Sequence, residues 1–320
     1  MIFFITVLRA LAACLITNSH YTGVYPTDLI ANGGLFGNVI FFAVSGFCLV
    51  NIKESFPKWY AKRLVRLLPA TWLMTAIYGI VGLFRIELSL KGIFSAFIFP
   101  SCYYFISSIL VLYIPFYFIM KYDKLKLHIP QISLAIASVW LIYYVFFYDK
   151  SRYHIDAVGE PMILFLFMFA MLIGAYCRVE KEKIENKKCT ACWIALPISL
   201  IAYFASKMLF VKFTAISKFQ IINQLVLLLL LFVLFRCFAS IDSKLENLPK
   251  PIKTVITFIS TITLEIYLVQ IPLIHKINFL PFPANWFFIT AVIILLAFLL
   301  NKITNPIYSF FKKALDKHKK

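Results

Sequence analysis

Long apolar tracts, separated by short polar connections, run almost from one end of the chain to the other. Ten can be drawn, at 3–19, 35–51, 69–85, 103–120, 131–148, 161–177, 192–206, 221–238, 254–275 and 286–300. Each approaches the ~20 apolar residues a helix needs to cross a bilayer. None shows the strict alternation of a half-buried strand. The pattern predicts an all-α, polytopic membrane protein of about ten transmembrane helices. The seventh tract is the weakest, with Pro197 inside it and Lys207 closing it early. The first resembles a signal peptide in length, but no basic region precedes it and Arg9 interrupts it, so it reads as a retained span. No tract or linker suggests an added soluble domain, and residues 1–320 read as a single membrane-embedded domain.

Charge then orients the spans. Lys and Arg number 23 in one set of alternating connections, including 52–68, 121–130, 178–191, 236–253 and the C-terminal tail, against 8 in the other set. Basic connections stay on the cytoplasmic side, so the bias puts both termini in the cytoplasm and faces the 20–32 loop, which has no Lys or Arg, outward.

Composition narrows the class further. Only 14% of residues are charged, against the quarter usual for a soluble domain, so this surface belongs in lipid. The net charge of +18 would suggest nucleic acid in a soluble protein. Here the basic residues flank apolar tracts, and topology explains them; no nucleic-acid partner is expected. Seven scattered cysteines do not form a disulfide framework, and Cys189 and Cys192 read as ordinary residues at a span boundary. The five histidines are dispersed without ligand spacing, so no metal site is expected.

Polar groups at membrane depth are costly and therefore candidates for function. Arg9 lies inside the first tract, although snorkelling to the nearby interface would also explain it. His20 follows eleven residues later. Eleven helical residues make three turns plus ~20°, so both side chains share a face at depths ~16 Å apart. Glu265 is the one carboxylate deep in an apolar tract and needs a partner or a proton; a structural ion pair and a catalytic role are both open. Arg63 and Arg66, three apart, share a helical face. Paired guanidiniums suit a pyrophosphate, while plain juxtamembrane charge is the simpler alternative.

These residues, with others in order, resemble a known family. Arg9 and His20 stand at the spacing found in the first span of acyltransferase-3 proteins. Phe41-Phe42-Ala43-Val44-Ser45-Gly46-Phe47 resembles the family's second-span element. Arg63-Leu64-Val65-Arg66-Leu67-Leu68-Pro69 resembles its Arg-x-x-Arg-x-x-Pro element. Tyr103-Tyr104-Phe105-Ile106, with Leu110 and Tyr113, resembles its aromatic fourth span, although Tyr104 stands where Trp is frequent. Leu264-Glu265-Ile266-Tyr267-Leu268 resembles its Glu-Ile-Tyr-Leu element, with Gln270 where many members have His.

The resemblance implies a bacterial inner-membrane, multi-pass O-acyltransferase that uses acyl-CoA, acetyl-CoA foremost, as co-substrate and no bound cofactor. It implies a saccharide or lipid-linked saccharide acceptor of the cell envelope: O-antigen, capsule or exopolysaccharide. His20 would be the general base and Arg9 its catalytic companion, with Arg63 and Arg66 on the donor's phosphates. Glu265, Tyr267, Ser45 and Tyr104 would support the site, Ser45 by letting helices approach at Ser45-Gly46. The rival reading is a polysaccharide or lipid transporter, or flippase, without acyl transfer.

Overall fold

In the computed structural model, residues 2–84, 87, 89–181, 189–277 and 279–317 are described, and among them there is no β-strand. The helices are α1 (Phe3–His20), α2 (Gly34–Cys48), α3 (Phe56–Ile80), α4 (Leu90–Ile93), α5 (Tyr104–Lys121), α6 (Asp123–Leu127), α7 (Ile129–Phe146), α8 (Pro161–Val179), α9 (Thr190–Lys212), α10 (Ile221–Ser240), α11 (Asp242–Glu246), α12 (Lys250–Thr261), α13 (Thr263–Lys276) and α14 (Ala284–Lys317). Among the described residues seven helices, α1, α5, α7, α8, α9, α10 and α14, are long and apolar enough to cross a membrane, and the bent pair α12–α13 adds an eighth if counted as one broken span. The protein is thus an all-α, polytopic membrane protein. The other two predicted tracts fall on α2, only 15 residues long, and on α3, which begins with a basic turn.

Several boundaries differ from those expected. The weak seventh tract is an unbroken 23-residue helix that runs through Pro197 and past Lys207. Neighbouring helices and local adjustment make such prolines tolerable in lipid. The 254–275 tract is not one helix: α12 and α13 meet at Ile262 with a bend of 72°. The connection before the third tract is helical from Phe56, so Arg63 and Arg66 sit on the same continuous helix as the apolar residues that follow. Cys189 and Cys192, read as ordinary residues, are joined in a disulfide; their Cα atoms, 5.2 Å apart, lie within the range such a bond spans. Of the residues used for the charge bias, Arg85, Lys183, Lys187, Lys188, Lys319 and Lys320 lie outside the described residues, as does His318 among the histidines.

The chain divides into two compact units. The first comprises Met1–Leu8, Asn38–Ile52 and Pro115–Lys250. Its centre is aromatic: Phe42 stacks on Phe167 at 4.1 Å between ring centroids, and Phe4 meets Phe47 and Phe235 edge-on. The Asp242 carboxylate accepts a hydrogen bond from the Phe4 amide, satisfying an open donor at the start of α1 with a charge its dipole favours. Gln220 and Gln224 at the start of α10 hold the 152–155 backbone, and Asn223 bridges Tyr153, Ser206 and the Tyr203 carbonyl. By contrast, α7 and α9 turn apolar residues such as Leu134, Val139, Ile198 and Ile201 outward, a surface suited to lipid.

The second unit comprises Arg9–Gly37, Lys53–Ile114 and Pro251–Lys320. In it α13 and α14 lie along α3, and Tyr78 of α3 donates a hydrogen bond to the Leu268 carbonyl of α13 at 2.7 Å. The rings of Tyr78, Phe84, Tyr103 and Tyr267 form a chain of contacts from α3 through the start of α5 to α13.

Close backbone approach fixes the meeting of α2 and α8 in the first unit. A side-chain carbon on Gly46 would overlap the Met171 carbonyl, and one on Gly174 would overlap that of Ala43. Small residues permit this approach in membranes. Gly46→Ala and Gly174→Ala should each destabilise the protein by about 1–3 kcal/mol, the usual cost of overpacking. Thermal unfolding in detergent reads this as a lowered midpoint, whereas Leu134→Ala on the outward face of α7 should melt close to wild type. Equal melting of all three variants would contradict the contact.

Candidate active site

The predicted pair lies on a single unbroken helix, α1. Arg9 and His20 therefore share a face at depths ~16 Å apart, and both are half-buried. Arg9 makes no hydrogen bond or ion pair with a described residue. His20 occupies the last turn of α1. There it has a neighbour that sequence spacing did not suggest: His275, in the last turn of α13, lies within its electrostatic reach. One turn before His20, the Thr17 hydroxyl donates to Gln270 Oε1 at 2.7 Å, with both side chains buried. Gln270, a departure from the family pattern, thus ties α13 to α1 beside the histidines.

The 21–33 segment folds back over this end. Asn18 donates to the Ile30 and Asn32 carbonyls and accepts from the Tyr25 hydroxyl. Tyr21 pairs with Thr290 of α14 at 2.6 Å between oxygens, and its ring meets Trp286. Beneath these residues is an apolar cavity of about 340 Å³, lined by Ala13, Cys14, Thr17, Ile259, Ile266 and Ile293 among others. Of its α1 residues, Ala13 and Thr17 are four and eight residues after Arg9 and so lie along the stripe that carries Arg9 and His20, whereas Cys14, Leu15 and Asn18 lie away from it.

Helix α14 measures depth. Thr290, beside Tyr21, is eleven residues from Asn301 and eighteen from Tyr308. These separations correspond to ~16 Å and ~27 Å along the axis, the latter close to the thickness of a hydrocarbon core. At the middle level Asn301 donates to Glu265 Oε1 at 2.9 Å. Glu265 is 2% exposed and lies in the first turn of α13, just past the bend, where the helix dipole favours a carboxylate. Its Oε2 makes no hydrogen bond with a described residue, and the Arg66 guanidinium lies within its electrostatic reach.

At the third level α3 and α14 carry the basic cluster. Arg66 lies over the Tyr308 ring at 5.2 Å, and Lys312 over the same ring at 5.8 Å. Arg63 lies over Trp59 at 5.6 Å. A polar pocket of about 190 Å³ opens among Glu54, Lys62, Arg63, Val65, Tyr308 and Lys312. Lys62 is hydrogen-bonded to both Asp316 and Glu54, and these two bonds raise its pKa above the ordinary lysine range. The predicted Arg63–Arg66 pair therefore divides: Arg63 lines the pocket, while the exposed Arg66 lies over Tyr308.

The supporting residues are also distributed. Tyr267 packs on Phe105 at 5.5 Å and on Tyr103 at 6.4 Å, the two neighbours of Tyr104. Tyr104 is half-buried at the start of α5, and its carbonyl accepts from Ser107. Ser45 belongs to the first unit, next to the Gly46 approach, and Arg9 and His20 belong to the second. Among the described residues no group of three or more His, Cys, Asp or Glu gathers in a way that could hold a metal.

In chemical terms, the second unit has a cationic pocket at one end of α14, a guanidinium on α1 that pairs with no described residue, and an imidazole at the other end. Such a set can bind an anionic ligand and exchange a proton at a distance from it. Comparison with curated proteins gave no match, nor did comparison with solved structures. The acyltransferase-3 family model, described as an acyltransferase domain, matches residues 2–302, nearly the whole chain. With that coverage the chain belongs to the acyltransferase-3 family and is a multi-pass membrane acyltransferase.

Proposed function

We propose that the protein is an O-acyltransferase of the bacterial inner membrane. It takes an acyl group, acetyl foremost, from cytoplasmic acyl-CoA and places it on a hydroxyl of an envelope saccharide, free or lipid-linked. The whole chain acts as one membrane-embedded domain with both termini in the cytoplasm. The observation that carries this reading is Arg9: a guanidinium inside a spanning helix, without a hydrogen bond or ion pair to a described residue, on the same face as His20. A charge held at that cost is best explained by a ligand that meets it.

In this reading the donor's phosphates bind at the basic level of α3 and α14, and the pantetheine arm extends along the Arg9 face towards His20. The imidazole takes the proton of the acceptor hydroxyl as its oxygen attacks the thioester carbonyl. A C–O bond forms and the C–S bond breaks. The proton passes from His20 to the departing thiolate, giving the ester and free CoA. Arg9 stabilises negative charge that develops on the thioester oxygen. Glu265 and Asn301 hold α13 against α14, and through α13 they fix the place of His275 and Gln270 next to His20.

Mass spectrometry of surface saccharides from a deletion strain tests the assignment. The O-acyl ester should vanish on deletion, return with wild type and stay absent with well-expressed His20→Ala. An ester that persists in the deletion strain would remove the saccharide assignment. With purified protein, His20→Ala and Arg9→Ala should each lower kcat by about a hundredfold or more, the scale of a lost general base or charge-stabilising group. Arg63→Gln should raise the KM for acyl-CoA about tenfold to a hundredfold, as a lost charge-assisted contact of about 1.5–3 kcal/mol implies. Unchanged donor kinetics would remove Arg63 from the donor site.

A further inference from the structure

The matched family segment ends at residue 302, but α14 continues for fifteen residues to Lys317. That extension lies against the basic start of α3. Tyr308 and Lys312 line the 190 Å³ pocket together with Arg63, and Asp316 reaches Lys62. We infer that this extension, through Lys312 and Tyr308, forms the second wall of a phosphate site whose first wall is Arg63, and that its ligand is the 3′-phosphate of the CoA donor. The inference rests on the acyl-CoA reading above and adds to it the residues that select the phosphorylated nucleotide.

Three features support it. Arg63 Nε is buried and makes no hydrogen bond with a described residue, so the guanidinium has a donor for a ligand that enters the pocket. Lys62 is neutralised by Glu54 and Asp316, whereas Arg63 and Lys312 form no ion pair with a described residue. Two cations that face one polar pocket match the two negative charges of a phosphomonoester, with the guanidinium able to bind two of its oxygens. Tyr308 sets the distance between the walls, because its ring carries Lys312 from its own helix and Arg66 from α3.

The same chemistry could take an anionic lipid headgroup, so the experiment separates the two sources. Radiolabelled CoA and 3′-dephospho-CoA are bound to full-length protein in nanodiscs of zwitterionic lipid, and again with anionic lipid added. Wild type should prefer CoA about tenfold or more. Lys312→Gln should weaken CoA about tenfold and leave 3′-dephospho-CoA unchanged, which abolishes the preference. Lys312→Arg should keep it, and Lys302→Gln, an exposed change on the same helix, should behave as wild type. Tyr308→Leu should reduce the preference without abolishing binding. Lys312 and Lys302 are both exposed, and thermal midpoints close to wild type establish that their variants fold. A Lys312→Gln protein that retains the preference overturns the inference; if Arg63→Gln still weakens CoA, the donor reading stands without it. A wild type that binds no CoA in either lipid overturns both. Anionic lipid that displaces CoA from wild type and Lys312→Gln alike would also overturn it, since Lys312 would then not be what distinguishes the nucleotide.

Discussion

A carboxylate at membrane depth must be held, and the second unit is arranged around how Glu265 is held. The hydrogen bond from Asn301 joins α13 to α14 just past the bend at Ile262. That joint lies between the two ends of the candidate site. On one side α14 runs to Thr290, where Tyr21 and the folded-back 21–33 segment close over the end of α1. On the other it runs to Tyr308, where Arg66 comes within electrostatic reach of the same carboxylate. Without a partner, a buried ionised group costs several kcal/mol. Bonded to Asn301, the Glu265 side chain is a fixed point between α13 and α14.

The rest of the unit extends that register to α1. Thr17 and Gln270 join α1 to α13 one turn before His20, so the histidine's position depends on the same α13 that Glu265 anchors. The aromatic chain through Tyr78, Phe84, Tyr103 and Tyr267 secures the other face of α13. Arg9 differs from all of these, because no described residue pairs with its charge to account for its place in a span. Thr17 with Gln270, Asn301 with Glu265 and Tyr21 with Thr290 join helices of this unit, while Arg9 lies on the face that leads to His20.

Much of this was legible in the sequence, and the reason is local geometry. The shared face of Arg9 and His20 follows from helical periodicity within one unbroken segment. The span pattern follows from apolar length. What was not legible depends on which helices become neighbours. His275 is 255 residues from His20, and Asn301 is 36 from Glu265; no periodicity links them. The α12–α13 bend falls in Ser260-Thr261-Ile262-Thr263, without Gly or Pro to mark it, whereas α9 and α14 run through Pro197 and Pro306. Gln270 is visible as a departure from the family pattern, but its role depends on Thr17, which lies across from it only in the folded protein. The division of Arg63 from Arg66 was hidden for the same reason: a common helical face does not decide which of two neighbours meets Tyr308.

In the proposed mechanism donor and acceptor meet from opposite sides, with phosphates at the Arg63 level and the hydroxyl at the His20 level, ~27 Å away along α14. Proteoliposomes of known orientation test it most directly. Acyl-CoA is sealed on one side, acceptor saccharide is supplied on the other, and ester formation is followed by mass spectrometry. Ester should form only when acyl-CoA is on the side of the α3 basic cluster and acceptor is on the side of the 21–33 segment. Ester formed with both substrates on the same side, and none across the membrane, would contradict it.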